Sequence, residues 1–225
     1  MTSSSFQHLL DTAQLWRGRQ ADTSVRPGVS TRHGALDALL PGGGWPRGGL
    51  IEVMPNTPGI GELQLLLPTL ASFCVAPVST PRARRAGQQA ARATPRIVLI
   101  DPPYLPYAPG LEQGGLKLEQ LWWINPVSTR DAAWACEQSL RSGVCPAVLF
   151  WPRQAPDDKS LRRLQLAAEQ GQSLAFLFRP PEAGDHASPA AIRMQVSRRA
   201  QGLHLELRKC RGLSGRPQVQ LPWPG

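Results

Sequence analysis

The sequence predicts an α/β protein whose central sheet is mostly parallel. Five short apolar runs have the length of buried strands and carry few polar side chains. They occupy residues 50–54, 96–101, 121–124, 147–151 and 173–178. Strands that alternate with helical segments, as several of these do, are typical of parallel sheets. Two later runs alternate apolar and polar side chains around a turn, residues 191–197 and 203–208, and they predict antiparallel C-terminal strands.

Composition limits the class of protein. The 225 residues are 41% hydrophobic and 18% charged, which suits one α/β domain with a substantial core. No apolar run reaches about 18 residues, and the N-terminus lacks a basic region followed by an apolar run. We therefore expect a cytoplasmic protein without a membrane span. The four cysteines are scattered without a C-x-x-C pair, which favours reduced thiols over disulfides or a zinc site.

The net charge of +9 favours contact with nucleic acid or with an acidic partner. Frequent Ala, Pro and Arg are equally compatible with an arginine-rich protein from a GC-rich genome. Five arginines lie in residues 76–96, a segment that is poor in large apolar side chains and predicted to be a flexible insertion. These candidate DNA-contacting residues are Arg82, Arg84, Arg85, Arg92 and Arg96. The segment has no aromatic residue for base stacking, so a solvated insertion is the alternative.

The first 28 residues are predicted to form an N-terminal helix and a linker. Apolar side chains recur at helical spacing in this stretch, with Ser5 a possible N-cap. Those that would form a docking face are Phe6, Leu9, Leu10 and Trp16. The helix either packs on its own domain or binds a protein partner.

Residues 29–212 are predicted to form the core, beginning with a short helix capped by Ser30 or Thr31. The glycine-rich run PGGGWPRGG then requires a tight turn with positive φ angles. The strand of residues 50–54 leads through the loop PNTPGIGEL into an apolar helix of residues 62–75. A strand, a glycine-bearing loop and a helix start are the arrangement of a phosphate-binding P-loop.

The loop lacks the chemistry of a working P-loop, which requires G-x-x-x-x-G-K-[ST]. Gly61 can stand for the second glycine, but Pro55 lies near the first, and Glu62 and Leu63 replace the lysine and the hydroxyl residue. Glu62 places a negative charge where a triphosphate needs a positive one. Its carboxylate suits the positive end of a helix dipole instead. The sequence therefore predicts a degenerate nucleotide site that includes Gly59.

Two further helices carry recognisable caps. Ser128 and Asp131 resemble a capping box for a helix that runs to residue 142, with a glycine at its end. Asp157 or Asp158 is predicted to cap the helix that ends at Gly171. Residues 213–225 are proline-rich and predicted to be a tail, in which Trp223 is a possible exposed anchor for a partner.

The first part of the core resembles that of RecA and RadA proteins. The matching residues are Ser30, Thr31, Leu36, Asp37, Leu40, Gly43, Gly44, Pro46, Gly48, Leu50 and Glu52. The resemblance implies a RecA-like three-layer core. At the positions of the catalytic glutamate, the magnesium-binding aspartate and the phosphate-sensing glutamine, this chain has Pro103, Trp151 and Arg179.

With the lysine and hydroxyl also missing, we expect a pseudo-ATPase without catalytic residues, metal or cofactor. The apolar loop of residues 104–107 is predicted to fill the vacated pocket. Near the terminal strands of the RecA pattern, Arg208, Lys209 and Arg211 are candidate contacts for an acidic partner.

The whole stretch from about residue 8 to 222 resembles the ImuA family more narrowly. The runs that carry this resemblance are LWRG, PGGGWPRG, PGIGELQLLLP, PPYLPYAPGL and RRLQLAAEQG. It implies a non-catalytic adaptor of an SOS-induced mutagenesis complex in translesion DNA synthesis. The expected partners are an ImuB-like Y-family polymerase homologue, RecA, and indirectly an error-prone DnaE-type polymerase. A second interpretation is a cell-division inhibitor like the more distantly related SulA, which binds a tubulin-like division protein. A third is a direct nucleic-acid binder.

Overall fold

A computed structural model describes residues 27–75 and 94–223. The predicted N-terminal helix with Phe6, Leu9, Leu10 and Trp16 lies outside these ranges. Four of the five candidate DNA-contacting residues, Arg82, Arg84, Arg85 and Arg92, also lie outside them.

The described residues form five α-helices and eight strands. The helices are α1 (Gly34–Leu39), α2 (Glu62–Val75), α3 (Ala108–Gln113), α4 (Thr129–Arg141) and α5 (Asp158–Gly171). The strands are β1 (Leu50–Pro55), β2 (Ile97–Ile100), β3 (Leu121–Ile124), β4 (Ala147–Phe150), β5 (Leu174–Phe178), β6 (Ile192–Arg199), β7 (Gly202–Cys210) and β8 (Gln218–Pro222). Short 3₁₀ turns occupy Leu118–Gln120 and Pro181–Asp185.

All eight strands belong to one sheet with the order β3-β2-β4-β5-β1-β6-β7-β8. Strands β1 to β6 pair in parallel, and the β6–β7 and β7–β8 pairs are antiparallel. The predicted α/β class, the mostly parallel sheet and the antiparallel C-terminal pair are therefore confirmed. Because β1 lies between β5 and β6, the loop that follows β1 opens at the centre of the sheet edge.

Helices cover both faces of the sheet because its parallel strands are apolar on both sides. Ile51 and Val53 face a core that contains Leu65 and Leu66 of α2. Leu50, one position earlier, faces a second core that contains side chains of α4 and α5. Neighbouring residues of a strand point to opposite faces, so β1 contributes apolar side chains to both cores.

The glycine-rich turn before β1 has the backbone geometry that the sequence predicts. Gly42, Gly43, Gly44 and Gly48 all have positive φ. A Cβ atom at Gly44 would lie 2.2 Å from the carbonyl oxygen of Val29, so no side chain fits there. The turn delivers the indole of Trp45 into the core, where its Nε1–H donates to Thr69 Oγ1 at 3.0 Å.

The cap predicted for α1 is wrong, because the N-cap residue is His33. Ser30 and Thr31 bind the carboxylate of Asp37 instead. The Ser30 hydroxyl and the Thr31 backbone N–H donate to its two oxygens, each at 2.7 Å. Asp37 lies in the first turn of this six-residue helix, so its carboxylate joins the helix to the loop that precedes it. The other two predicted caps are confirmed: Ser128 accepts from the Asp131 N–H, and Asp157 accepts from the Ser160 N–H.

Asp37 is expected to make part of the stability depend on pH. Burial raises the pKa of Asp37, but hydrogen bonds from Ser30 and Thr31 outweigh it, and the pKa lies below its ordinary value of 3.8. A carboxylate with a depressed folded-state pKa stabilises the fold above its unfolded-state pKa, and this contribution disappears as the pH falls through the folded-state pKa. We expect Asp37→Asn to lower the free energy of unfolding by about 1 kcal/mol at pH 7, allowing for solvent screening, and by less below pH ~4.

Urea unfolding of wild type and Asp37→Asn at a series of pH values measures this difference. The exposed residue Asp185 provides the control, since Asp185→Asn is expected to change stability little at any pH. A difference between wild type and Asp37→Asn that does not shrink at low pH would contradict the prediction.

The C-terminal segment is not a free tail. Residues 218–222 form β8, which pairs with β7, so the sheet extends beyond the predicted core boundary at residue 212. Trp223 is only partly exposed, and its Nε1–H donates to the Ala200 carbonyl at 3.3 Å. The guanidinium of Arg198 lies 4.7 Å from the centre of a Trp223 ring. The prediction of an exposed anchor at Trp223 is therefore wrong.

None of the helices in the described residues has the length and apolar character needed to cross a membrane.

Candidate functional site

The loop between β1 and α2 is closed by one of its own side chains. Glu62 is the first residue of α2, and its Oε1 accepts a hydrogen bond from the Gly59 N–H at 3.0 Å. Gly59 and Gly61 both have positive φ, which lets the loop fold back over the helix start. The carboxylate thus takes the place at a helix N-terminus that favours an anion.

Glu62 is buried, yet only one of its oxygens is satisfied. The side chain is 6% exposed, and Oε2 has no hydrogen-bond partner among the described residues. A second unpartnered group nearby is the buried Nε–H of Arg179, which follows β5. Buried polar atoms without partners are uncommon in folded proteins, so these two atoms are candidates for contact with a ligand.

Both residues line a cavity of about 610 Å³ at the carboxyl ends of the parallel strands, which we call the strand-end cavity. Its wall includes five of the eight predicted site residues, namely Pro55, Glu62, Pro103, Trp151 and Arg179. The other three, Gly59, Gly61 and Leu63, line an adjoining apolar groove of about 300 Å³ between α2 and the loop after β2. The structure therefore brings together all eight residues predicted from the degenerate nucleotide pattern.

An aromatic pair lies in the wall of the strand-end cavity. The rings of Trp151 and Phe178 stack in parallel, with their centres 4.2 Å apart and an interplanar angle of 6°. Trp151 directly follows β4 and Phe178 ends β5, so adjacent parallel strands place the two rings side by side. A large apolar surface occupies the position where the RecA pattern has an acidic residue.

An ion pair that the sequence did not reveal lies beside this aromatic pair. Arg153 donates to Asp101 Oδ1 from Nη2 at 2.6 Å and from Nε at 3.0 Å. Asp101 follows β2 and Arg153 lies just beyond β4, which is the neighbouring strand. The available signal was an acidic residue and a basic residue after two buried runs, but their pairing depends on the strand order.

Arg179 forms an ion pair with a buried acidic residue, Glu52. Its Nη1 lies 3.2 Å from Glu52 Oε1, and Arg193 Nε lies 2.8 Å from Glu52 Oε2. Ser188 also donates its hydroxyl to Glu52. A fully buried carboxylate requires such partners, so two arginines and one hydroxyl converge on it.

The apolar loop after β2 does not fill the pocket, contrary to the prediction. Tyr104, Leu105 and Tyr107 are 67%, 75% and 73% exposed. The loop stands at the rim of the apolar groove instead of entering the strand-end cavity. The Trp151–Phe178 pair already supplies the apolar wall of that cavity, and the loop's aromatic side chains remain accessible.

The other predicted contact residues lie away from this site. None of Arg208, Lys209 and Arg211 lines either cavity. Arg208 pairs with Glu206 at 3.0 Å, and Lys209 Nζ donates to the Ser188 carbonyl at 2.7 Å. Burial lowers the pKa of Lys209, and the charges of Arg193 and Arg211 lower it further.

Arg96, the one candidate DNA-contacting arginine within the described ranges, is committed to intramolecular contacts. Its guanidinium lies 5.4 Å from the centre of a Trp122 ring and donates to the Glu119 carbonyl. Across residues 27–75 and 94–223, no group of three His, Cys, Asp or Glu side chains could hold a metal ion.

Comparison with known proteins shows homology to SulA. A protein named cell division inhibitor SulA from Pectobacterium atrosepticum is 40% identical over 83 residues, which are 35% of this chain and 47% of that protein. A protein of the same name from Photorhabdus laumondii is 33% identical over 86 residues, 38% of this chain and 48% of that protein. This chain thus spans about half the length of the curated relatives it matches. No family model matches the chain.

A solved structure of SulA from Pseudomonas aeruginosa is also similar, with a TM-score of 0.42 and 20% identity, covering 58% of this chain and 97% of that one. The curated relatives are named cell division inhibitors, and they overturn the prediction of an ImuB-binding adaptor in translesion synthesis. They favour the second interpretation, an inhibitor related to SulA.

Proposed function

We propose that this protein is a non-catalytic, SulA-like inhibitor of cell division that acts by binding a tubulin-like division protein. The similarity to proteins named cell division inhibitor SulA, 33–40% identical over 83–86 residues, supports the choice of partner. The observation that carries the non-catalytic part is the Glu62 carboxylate bound to the Gly59 N–H at the start of α2.

The geometry opposes nucleotide hydrolysis at this loop. A phosphate entering the loop would have to displace Glu62 from the Gly59 N–H and would then meet its negative charge. Trp151 presents an indole, and Pro103 offers no group that polarises water. Burial raises the pKa values of the Cys136, Cys145 and Cys210 thiols, which disfavours a thiolate nucleophile.

We further propose that the core is a RecA-like pseudo-ATPase. Two features support this interpretation of the core. They are the glycine-bearing loop between β1 and α2 and the antiparallel β6–β8 segment. The narrower resemblance to the ImuA family stays a prediction. We propose no ImuB-binding role for this chain.

An exposed apolar surface supports a role in protein binding. Tyr104, Leu105 and Tyr107 are each at least two-thirds exposed within four consecutive positions. Clustered apolar side chains at a protein surface mark interaction sites, whereas single ones need no explanation. Tyrosine is also among the residues enriched in interfaces.

Induced expression of the chain in its native host tests the proposal. We expect cells to stop dividing and to elongate into filaments, because the division protein would be held in a bound form. The purified chain is expected to bind the purified division protein from the same organism in a titration by isothermal calorimetry. Cells of normal length together with no measurable binding would overturn the proposed function.

A further inference from the structure

We infer that the strand-end cavity and the apolar groove together receive a basic side chain of a protein partner, carried on a segment with large apolar residues. The inference rests on the proposed function in that it takes the ligand to be a protein. It adds the chemistry of the partner segment and the residue that recognises its charge.

The two cavities form one continuous receptor. Glu62, Pro102, Pro103 and Trp151 line both of them. Glu62 therefore lies at the junction, with a larger space on one side and an apolar groove on the other. A ligand that extends through both spaces must pass its carboxylate.

The charges around the strand-end cavity favour a cation. Five charged residues line it, which are Glu62, Asp101, Arg153, Arg179 and Glu182. Arg153 is neutralised by Asp101, whereas Glu52 is shared by Arg179 and Arg193, so that buried trio carries a net charge of +1. Within the described part of the chain, Glu62 and Glu182 have no ion pair. These two carboxylates outweigh the +1 of the buried trio, so the net charge around the cavity is negative and opposes the phosphate ligands that a glycine-bearing loop would otherwise suggest.

The unpartnered atoms distinguish a polypeptide from a simple cation. Glu62 Oε2 requires a donor, and Arg179 Nε–H requires an acceptor. A metal ion or an ammonium ion would satisfy Glu62 alone. An arginine or lysine residue of a partner provides N–H donors in its side chain and a carbonyl acceptor in its backbone. A partner segment therefore matches both unsatisfied groups.

The apolar groove accounts for the side chains that flank the basic residue. Leu63 and Leu67 of α2 form one wall, and the exposed Tyr104, Leu105 and Tyr107 stand on the other. Large apolar side chains buried in such a groove exclude water from a neighbouring ion pair, which strengthens it. The groove and the carboxylate thus act on the same segment.

Glu62→Gln is the decisive variant. The glutamine amide oxygen still accepts the Gly59 N–H, so the loop keeps its hydrogen bond while the charge is removed. We expect binding of the purified tubulin-like division protein to weaken by about 30-fold or more, because the partner's cation is left buried without its counter-charge. Thermal unfolding of the variant checks that its fold is intact.

A matched pair of leucine variants tests the groove. Leu105→Ser is expected to weaken the same binding about tenfold, whereas Leu166→Ser is expected to change it less than about twofold. Leu166 is 54% exposed on α5, which packs on the opposite face of the sheet. Equal binding by wild type, Glu62→Gln and Leu105→Ser would overturn the inference and leave the proposed function standing.

A peptide probe tests the receptor independently of the division protein. Terminally blocked Leu-Arg-Leu at about 10 mM is expected to shift the Trp151 indole N–H signal in NMR spectra of the wild type. Blocked Leu-Gln-Leu is expected to leave it unchanged, as is Leu-Arg-Leu added to Glu62→Gln. If the division protein does not bind but these shifts appear, the proposed function fails and the inference stands. Absence of a shift in the wild type would overturn the inference.

Discussion

Replacing Glu52 with alanine is expected to lower the free energy of unfolding by about 3–5 kcal/mol. Glu52 is fully buried and forms ion pairs with Arg179 and Arg193, whose side chains are 5% and 7% exposed. Without the carboxylate, two guanidinium groups remain in the core with no counter-charge. Removing one member of a buried ion pair is strongly destabilising for this reason, although a buried pair is not in itself strong evidence of stability.

Urea unfolding followed by circular dichroism measures this change. Glu206→Ala is the matched control, because Glu206 pairs with Arg208 near the surface, where both side chains are about one-quarter exposed. Its loss is expected to cost about 0–1 kcal/mol. Similar losses of stability in the two variants would show that Glu52 is not the centre of the buried charge cluster.

Gly171→Ala is expected to lower the free energy of unfolding by about 3 kcal/mol. Gly171 ends α5, and an added Cβ atom would lie 1.8 Å from the carbonyl oxygen of Leu140 in α4. The obstacle is backbone, so it cannot move aside as a flexible side chain would. The two helices would have to separate, and the core that they cover would lose packing.

The glycine at the start of α1 is the matched control. An added Cβ atom at Gly34 meets nothing within 4 Å, so Gly34→Ala is expected to be neutral or slightly stabilising. Both variants are measured by the same urea titration. A Gly171→Ala variant as stable as Gly34→Ala would mean that α4 and α5 do not approach as closely as described.

The central strands and their helices could be predicted because local signals agree with the tertiary structure. The apolar run of β1 needs no partner to be recognised, and Gly61 with Glu62 indicates where α2 begins. The hydroxyl of Ser128 and the carboxylate of Asp157 signal the next helix starts in the same way. Each signal lies within four residues of the feature that it specifies.

The features that could not be predicted depend on residues far apart in the chain. β8 is half exposed and bordered by prolines, and its identity as a strand comes from pairing with β7. The Arg153–Asp101 pair joins residues 52 positions apart. The exposure of Tyr104 depends on which side chains already line the cavity, and no local pattern contains that information.

The sequence predicted which residues belong to the candidate site but not the hydrogen bonds and ion pairs that they form. The P-loop comparison and the RecA resemblance placed Glu62, Trp151 and Arg179 in one predicted nucleotide site, and all three line the strand-end cavity. It could not show that Glu62 binds the loop's own amide, or that Arg179 is held by Glu52. The contact between Arg179 and Glu52 arises only when β1 and β5 are adjacent.

The central position of β1 also affects how the chain can fold during synthesis. Leu50 aligns with Ala175, 125 residues later in the chain, and the strand on the other side of β1 comes later still. A ribosome adding about 5–20 residues per second needs roughly 6–25 seconds to supply these partners. During that time β1, which is apolar apart from Glu52, has two open edges, so early burial of its apolar side chains by α2 protects the nascent chain against aggregation.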